Sequence, residues 1–149
     1  MTSTQIQLIR QSFAQVAPIS EAAAALFYQR LFELDPGLRR LFPASLEEQG
    51  RKLMQMLGAA VGLLDKPDTL IPVLQNLGRR HAGYGVKDEH YLTVGSALLW
   101  TLEQGLGAAF KPEVCEAWAA MYDVVASTMQ DEARAGEEEA TANLVESRF

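Results

Sequence analysis

Apolar residues recur at three- and four-residue spacing along almost the whole chain, and nowhere do they alternate as a strand requires. Ile6, Ile9, Phe13 and Val16 form one stripe over residues 4–17, and Tyr91, Val94, Leu98 and Leu102 form another over 88–105. Each stripe is one face of a helix that must be buried against a neighbour. Proline and glycine cut the pattern into segments. Pro18 interrupts the first, Ser20 is placed to cap a helix over 21–34, and Asp35-Pro36 ends that helix because the residue before proline is pushed out of the α region. A short helical turn over 36–41 leads to the corner Phe42-Pro43. Ser45 and Glu48 have the spacing of a capping box for a helix over 46–64. Residues 68–82 read as one helix or as two broken at Pro72, with Gly83 and Gly85 as stops. Gly105 and Gly107 end the next helix. Pro112 suits the first turn of the last, which runs through Val114, Trp118, Met121, Tyr122, Val125 and Met129 to about residue 133. Six or more helices with short connections make an all-α fold, and long outer helices around a middle of short ones do not match a simple four-helix bundle.

A chain of 149 residues with 48% hydrophobic content is long enough for one domain with its own core. The longest apolar run, Leu57 to Leu64, is far too short to cross a bilayer, so no membrane partner is expected. The net charge of −6 is uneven: residues 131–149 hold six acids and two arginines, which is −4 of the total. The expected organisation is therefore a domain over 1–133 and an acidic, flexible tail over 134–149, with nothing to attract nucleic acid. A single cysteine, Cys115, excludes an internal disulfide framework. The N-terminus lacks a basic segment followed by an apolar stretch, so the expected location is the cytoplasm, as a monomer or weak oligomer.

The chain has two histidines, and His81 is the one in a setting that suits an iron ligand. It lies near the end of a helical pattern, in Leu77-Gly78-Arg79-Arg80-His81-Ala82-Gly83-Tyr84-Gly85-Val86. Upstream are Tyr28 on an amphipathic helix, Phe42 beside a proline, and Gln49 and Leu53 one helical turn apart, so both point the same way. Taken singly, each admits a plainer reading: a capping histidine, a core tyrosine, a core phenylalanine, a solvated glutamine. His90, at a helix start, reads as an exposed or capping imidazole. Trp118 and the methionines read as core, and Cys115 as an inert thiol.

In this order the residues resemble a globin, and are most similar to the single-domain bacterial globins and the haem domain of flavohaemoglobins. The strings Leu26-Phe27-Tyr28-x-x-Leu31-Phe32, Leu41-Phe42, Arg51-Lys52-Leu53-Met54-Gln55, Gly78-Arg79-Arg80-His81, His81-x-x-Tyr84-x-Val86 and His90-Tyr91-x-x-Val94-Gly95-x-x-Leu98-Leu99 carry the resemblance, which spans about residues 4–133. It implies a globin fold of six to eight helices around a haem b pocket. His81 is then the proximal iron ligand, Phe42 stacks on the porphyrin, and Leu77, Val86, Tyr91 and Val94 border it. Tyr28 and Gln49 face the gas, with Leu53 beside them. Lys52 and Arg80 are equally consistent with pairing to haem propionates and with plain surface charge. In flavohaemoglobins the proximal histidine and the following helix's tyrosine form a network with a glutamate late in the last helix. Counted from Trp118, that position is Ala133 here, and Glu132 falls one residue early, which puts the link in doubt.

The resemblance implies reversible binding of dioxygen, NO or CO. Bound dioxygen carries partial negative charge, so two donors beside it slow its release. That chemistry suits conversion of NO to nitrate, which needs a separate reductase, since 149 residues leave no room for flavin or nicotinamide domains. Oxygen storage or gas sensing without catalysis is the alternative, and a haem-free interaction module the least consistent with His81, Tyr28 and Gln49.

Overall fold

A computed structural model describes the backbone of residues 1–42 and 45–148, with side chains as far as residue 137. Among the described residues there are six α-helices and three short 3-10 turns, and no strand. The helices are α1 (Ser3–Val16), α2 (Ser20–Leu34), α3 (Leu46–Gly62), α4 (Pro67–Gly83), α5 (Asp88–Leu106) and α6 (Pro112–Arg148). The 3-10 turns are Ala17–Ile19, Pro36–Leu41 and Gly107–Ala109.

Local chemistry explains the boundaries. The Thr2 hydroxyl accepts from the Gln5 N–H at 3.1 Å and the Gln5 side chain accepts from the Thr2 N–H at 3.0 Å, a reciprocal cap that opens α1. Asp35 leaves the helical region at φ −147° and its carboxylate accepts from Gly37 N–H at 3.1 Å, which starts the turn toward Phe42. Pro43, the second half of the expected corner, lies outside the described residues. α4 ends at Gly83, and Gly85 follows at φ 87°.

Three expected details differ, and of the two alternatives at Pro72 the single helix holds. Ser20 is the first residue of α2 and provides no cap; Ile19 holds the cap position. Ser45 accepts from the Glu48 N–H at 3.5 Å, half of the expected box. Pro72 lies inside an unbroken α4, near enough to its start that one missing N–H bond is tolerated by a helix packed along its length on α6. The last helix does not stop near 133: α6 continues to Arg148, through a stretch rich in alanine and glutamate, both strong helix formers.

The helices pack α4 and α1 onto α6, and α2 onto both α3 and α5. Two apolar clusters result. The larger includes Ile9, Phe27, Tyr28, Leu31, Leu98, Leu102 and Trp118. Trp118 is 1% exposed and donates its indole N–H to the Ser12 hydroxyl at 2.8 Å, so its one polar atom is satisfied. The smaller gathers Leu70, Leu74, Tyr91, Ala126 and Met129 where α4, α5 and α6 meet. No described helix is long and apolar enough to cross a membrane.

Candidate functional site

The apolar stripe of α2 carries Tyr28 into the larger cluster, where it is 4% exposed. Four aromatic rings gather there. Tyr28 lies 5.1 Å from Phe27 and 5.4 Å from Phe42, both edge-on, and stacks against Phe32 at 6.1 Å. Phe32 and Phe42 meet edge-on at 5.8 Å. These separations are the favourable range for aromatic pairs, and they fix the phenol's plane. Its hydroxyl points to the first turns of α3 and donates to the Gln49 carbonyl at 3.4 Å, a long bond. Burial pushes the phenol up to about 12, with the Gln49 side chain offsetting part of the shift. The group is therefore a neutral donor at neutral pH. Leu53 and Val94 border the same cluster. Beside Leu53 is an apolar cavity of about 20 Å³, also bordered by Phe13, Phe27, Leu57, Leu98 and Trp118. That is room for about one water-sized molecule.

On α4, the ring of His81 is half-buried and its Nδ1 lies 2.8 Å from the Leu77 carbonyl one turn earlier. A carbonyl only accepts, so Nδ1 carries the proton and Nε2 keeps its lone pair. Burial holds the imidazole below its ordinary pKa, and the charge of Arg80 adds to this, against the Leu77 bond. A neutral imidazole with one nitrogen anchored and the other unprotonated is a ready metal donor. Among the described residues no three His, Cys, Asp or Glu side chains gather as a metal site of their own. A single imidazole suits an iron whose other ligands come from a macrocycle, so the donor set fits haem.

Leu77, Val86 and Tyr91 join the smaller cluster. Tyr91 is 8% exposed, and its hydroxyl is raised above its ordinary pKa by burial and then by the Asp88 charge. The expected residues thus divide: Tyr28, Phe42, Leu53 and Val94 belong to one cluster, Leu77, Val86 and Tyr91 to the other. Lys52 and Arg80 are both exposed. His90 has the capping role expected of it, its Nδ1 accepting from the Lys87 N–H at 2.9 Å.

Several contacts of named residues were not read from the sequence. Phe32 completes the aromatic set around Tyr28, and its place on the α2 stripe was the available signal. Tyr122 donates to the Tyr91 carbonyl, and Glu132 pairs with Arg79. The Glu132 carboxylate is thus engaged by α4's arginine, and nothing in the local sequence marks that pairing.

Comparison with known proteins agrees with this geometry. The globin family model matches residues 25–129. A neuroglobin of Danio rerio is 35% identical over 136 residues, covering 82% of this chain and 86% of the relative. A flavohemoprotein of Bordetella parapertussis is 34% identical over 140 residues, which is 91% of this chain but 35% of that longer protein. A solved structure of an engineered carbene transferase, made from a nitric oxide dioxygenase candidate of Rhodothermus marinus, superposes with a TM-score of 0.82 at 29% identity, covering 94% of this chain and 99% of that one. With a buried phenol on one helix, an anchored imidazole on another and these matches, the chain belongs to the globin family, whose members hold haem and bind gaseous ligands.

Proposed function

We propose that the chain holds haem b through His81 and reversibly binds dioxygen and other diatomic gases on the face lined by Tyr28, Gln49 and Leu53. The observation that carries this reading is the 2.8 Å bond from His81 Nδ1 to the Leu77 carbonyl, which fixes the tautomer and leaves Nε2 as donor. Haem supplies the iron centre at which the gas binds. The chain's own residues do the rest. The Leu77 carbonyl holds the imidazole in one orientation and raises its basicity. Phe42, Val86, Tyr91 and Val94 pack apolar surface against the macrocycle and keep water away. Tyr28 brings a neutral O–H to the gas by giving up its 3.4 Å contact with Gln49, a long bond that costs little to exchange. The Gln49 amide adds a second donor, and Leu53 limits the space between them. Purified protein reconstituted with haem tests this directly. His81→Ala should lose the Soret band of the bound cofactor or leave it without an iron–histidine Raman band; unchanged spectra would defeat the assignment.

The more specific role we favour is oxidation of NO to nitrate by the oxygenated protein, with reducing equivalents from a separate reductase. The two distal donors, and similarity to flavohemoproteins and to the Rhodothermus marinus protein, support it. Stopped-flow mixing of the oxygenated protein with NO should give one fast step and accumulate the oxidised form, with repeated cycles once a reductase and nicotinamide donor are added. A second reading, oxygen storage or sensing, is favoured by one observation: the Glu132 carboxylate pairs with Arg79 instead of polarising the proximal side. Slow reaction with NO would select it.

A further inference from the structure

Three consecutive residues of α4 reach in different directions just before His81. The Leu77 carbonyl accepts from the imidazole at 2.8 Å. Gly78 meets the backbone of α6: a β-carbon there would lie 2.6 Å from the Met129 carbonyl oxygen and 2.8 Å from its α-carbon. Only a glycine allows two helices to approach so closely without displacement. Arg79 extends its guanidinium to the Glu132 carboxylate one turn further along α6, with side chains 56% and 22% exposed respectively. The same stretch of α6 also holds α5. Gln130 donates to the Asp88 carboxylate at 3.4 Å, and Tyr122 donates to the Tyr91 carbonyl.

Resting on the reading of His81 as the haem ligand, we propose that α6 is the positioning element of the proximal imidazole, with Gly78 setting the separation of α4 from α6 and the Arg79–Glu132 pair setting its rotation. Leu77 and His81 are one helical turn apart, and Gly78 is three residues before His81, so all three belong to the turns that this contact fixes. An ion pair as exposed as Arg79–Glu132 adds little to stability by itself. Its consequence is geometric: it ties α4 to α6 beside the close backbone approach at Gly78 and so resists rotation of α4 there. The ring's orientation follows the helix, because the Leu77 carbonyl ties ring to backbone. Arg79 and Glu132 are positioning residues; neither touches the iron.

The experiment uses the haem-loaded full chain in its ferrous, gas-free form and reads the iron–histidine stretching band by resonance Raman, together with the rate of haem loss to an excess of a haem-scavenging apoprotein. Gly78→Ala should shift and broaden the band and speed haem loss about tenfold, the scale on which groups supporting a metal ligand act. Glu132→Gln should shift the band in the same direction with a smaller effect on haem loss. The charge-reversed pair Arg79→Glu with Glu132→Arg should return the band toward its original position, a rescue that simple loss of stability does not give. Glu132 and Arg79 lie toward the surface, so their variants report even if Gly78→Ala fails to fold. Bands unmoved in Glu132→Gln and in Arg79→Gln, with haem bound, would overturn the proposal. No iron–histidine band in the unaltered protein would instead overturn the reading of His81, and the proposal with it.

Discussion

The two sides of the proposed haem site are built from different kinds of contact. On the Tyr28 side, rings meet rings at 5.1–6.1 Å and the phenol's own hydrogen bond is 3.4 Å long. A small cavity lies beside Leu53, and a β-carbon at Gly50 would lie 2.9 Å from the β-carbon of Ala24 on α2. On the His81 side the imidazole bond is 2.8 Å, and a β-carbon at Gly78 would lie 2.6 Å from helix backbone, the Met129 carbonyl oxygen. Ring contacts and long bonds exchange partners at low cost, while a helix backbone cannot step aside. The comparison teaches how the proposed tasks divide: the proposed metal donor is on the stiffer side, the proposed gas donors on the side held by rings and a long bond.

The largest effect should come from testing stiffness directly. Gly78→Ala should destabilise by about 3 kcal/mol, because its methyl would overlap three backbone atoms of Met129, whereas Gly50→Ala, which meets the single β-carbon of Ala24, should cost about 2 kcal/mol. Chemical denaturation of both variants checks this, and equal losses would erase the contrast. Next is gas release. Tyr28→Phe removes one donor to a charged ligand and should speed dioxygen dissociation about ten- to a hundredfold. Gln49→Leu should have a smaller effect that is not additive with it, because the two share a network. Flash photolysis or stopped-flow displacement measures both.

The pH dependence of the haem-free protein separates the sides more finely. His81 titrates below its ordinary value in the folded chain, so the unfolded chain takes up the proton first. The stability this gives is complete above the ordinary value of 6.5 and is lost as pH falls below it toward the folded value. Tyr28 is shifted the other way: its contribution is complete below 10.0 and is lost as pH rises through about 12. His81→Gln should flatten the acid limb alone and Tyr28→Phe the alkaline limb alone, as read by melting temperature against pH. The smallest effect should follow removal of residues beyond Arg134. Their charge and low apolar content give little reason to pack, so gas affinity should not change and the melting temperature should move by less than about 2 °C.

Much of this was legible in the chain. The stripe periodicity gave the α1, α3 and α5 ranges to within a residue or two, because each apolar face is local in sequence. Tyr28, Gln49, Leu53 and His81 stood out through their order and spacing. Pro72 and the end of α6 were not legible: a proline near a helix start is tolerated or disruptive according to what the helix rests on, and an acidic stretch rich in alanine reads equally as tail or as helix. The Glu132 pairing was hidden because its partner, Arg79, is 53 residues away.

What the sequence by itself determined was the helical class, most of the boundaries and the residue types able to bind a haem iron and a gas, since each depends on spacing within a turn or two. Only the tertiary structure decided how those residues are held. It set the burial that holds His81 below its ordinary pKa, the burial of Tyr28 among rings from two segments that pushes its hydroxyl up to about 12, and the diversion of Glu132 through a contact between α4 and α6. Burial, helix separation and distant ion pairs are properties of how helices pack, and packing joins residues that the sequence keeps far apart.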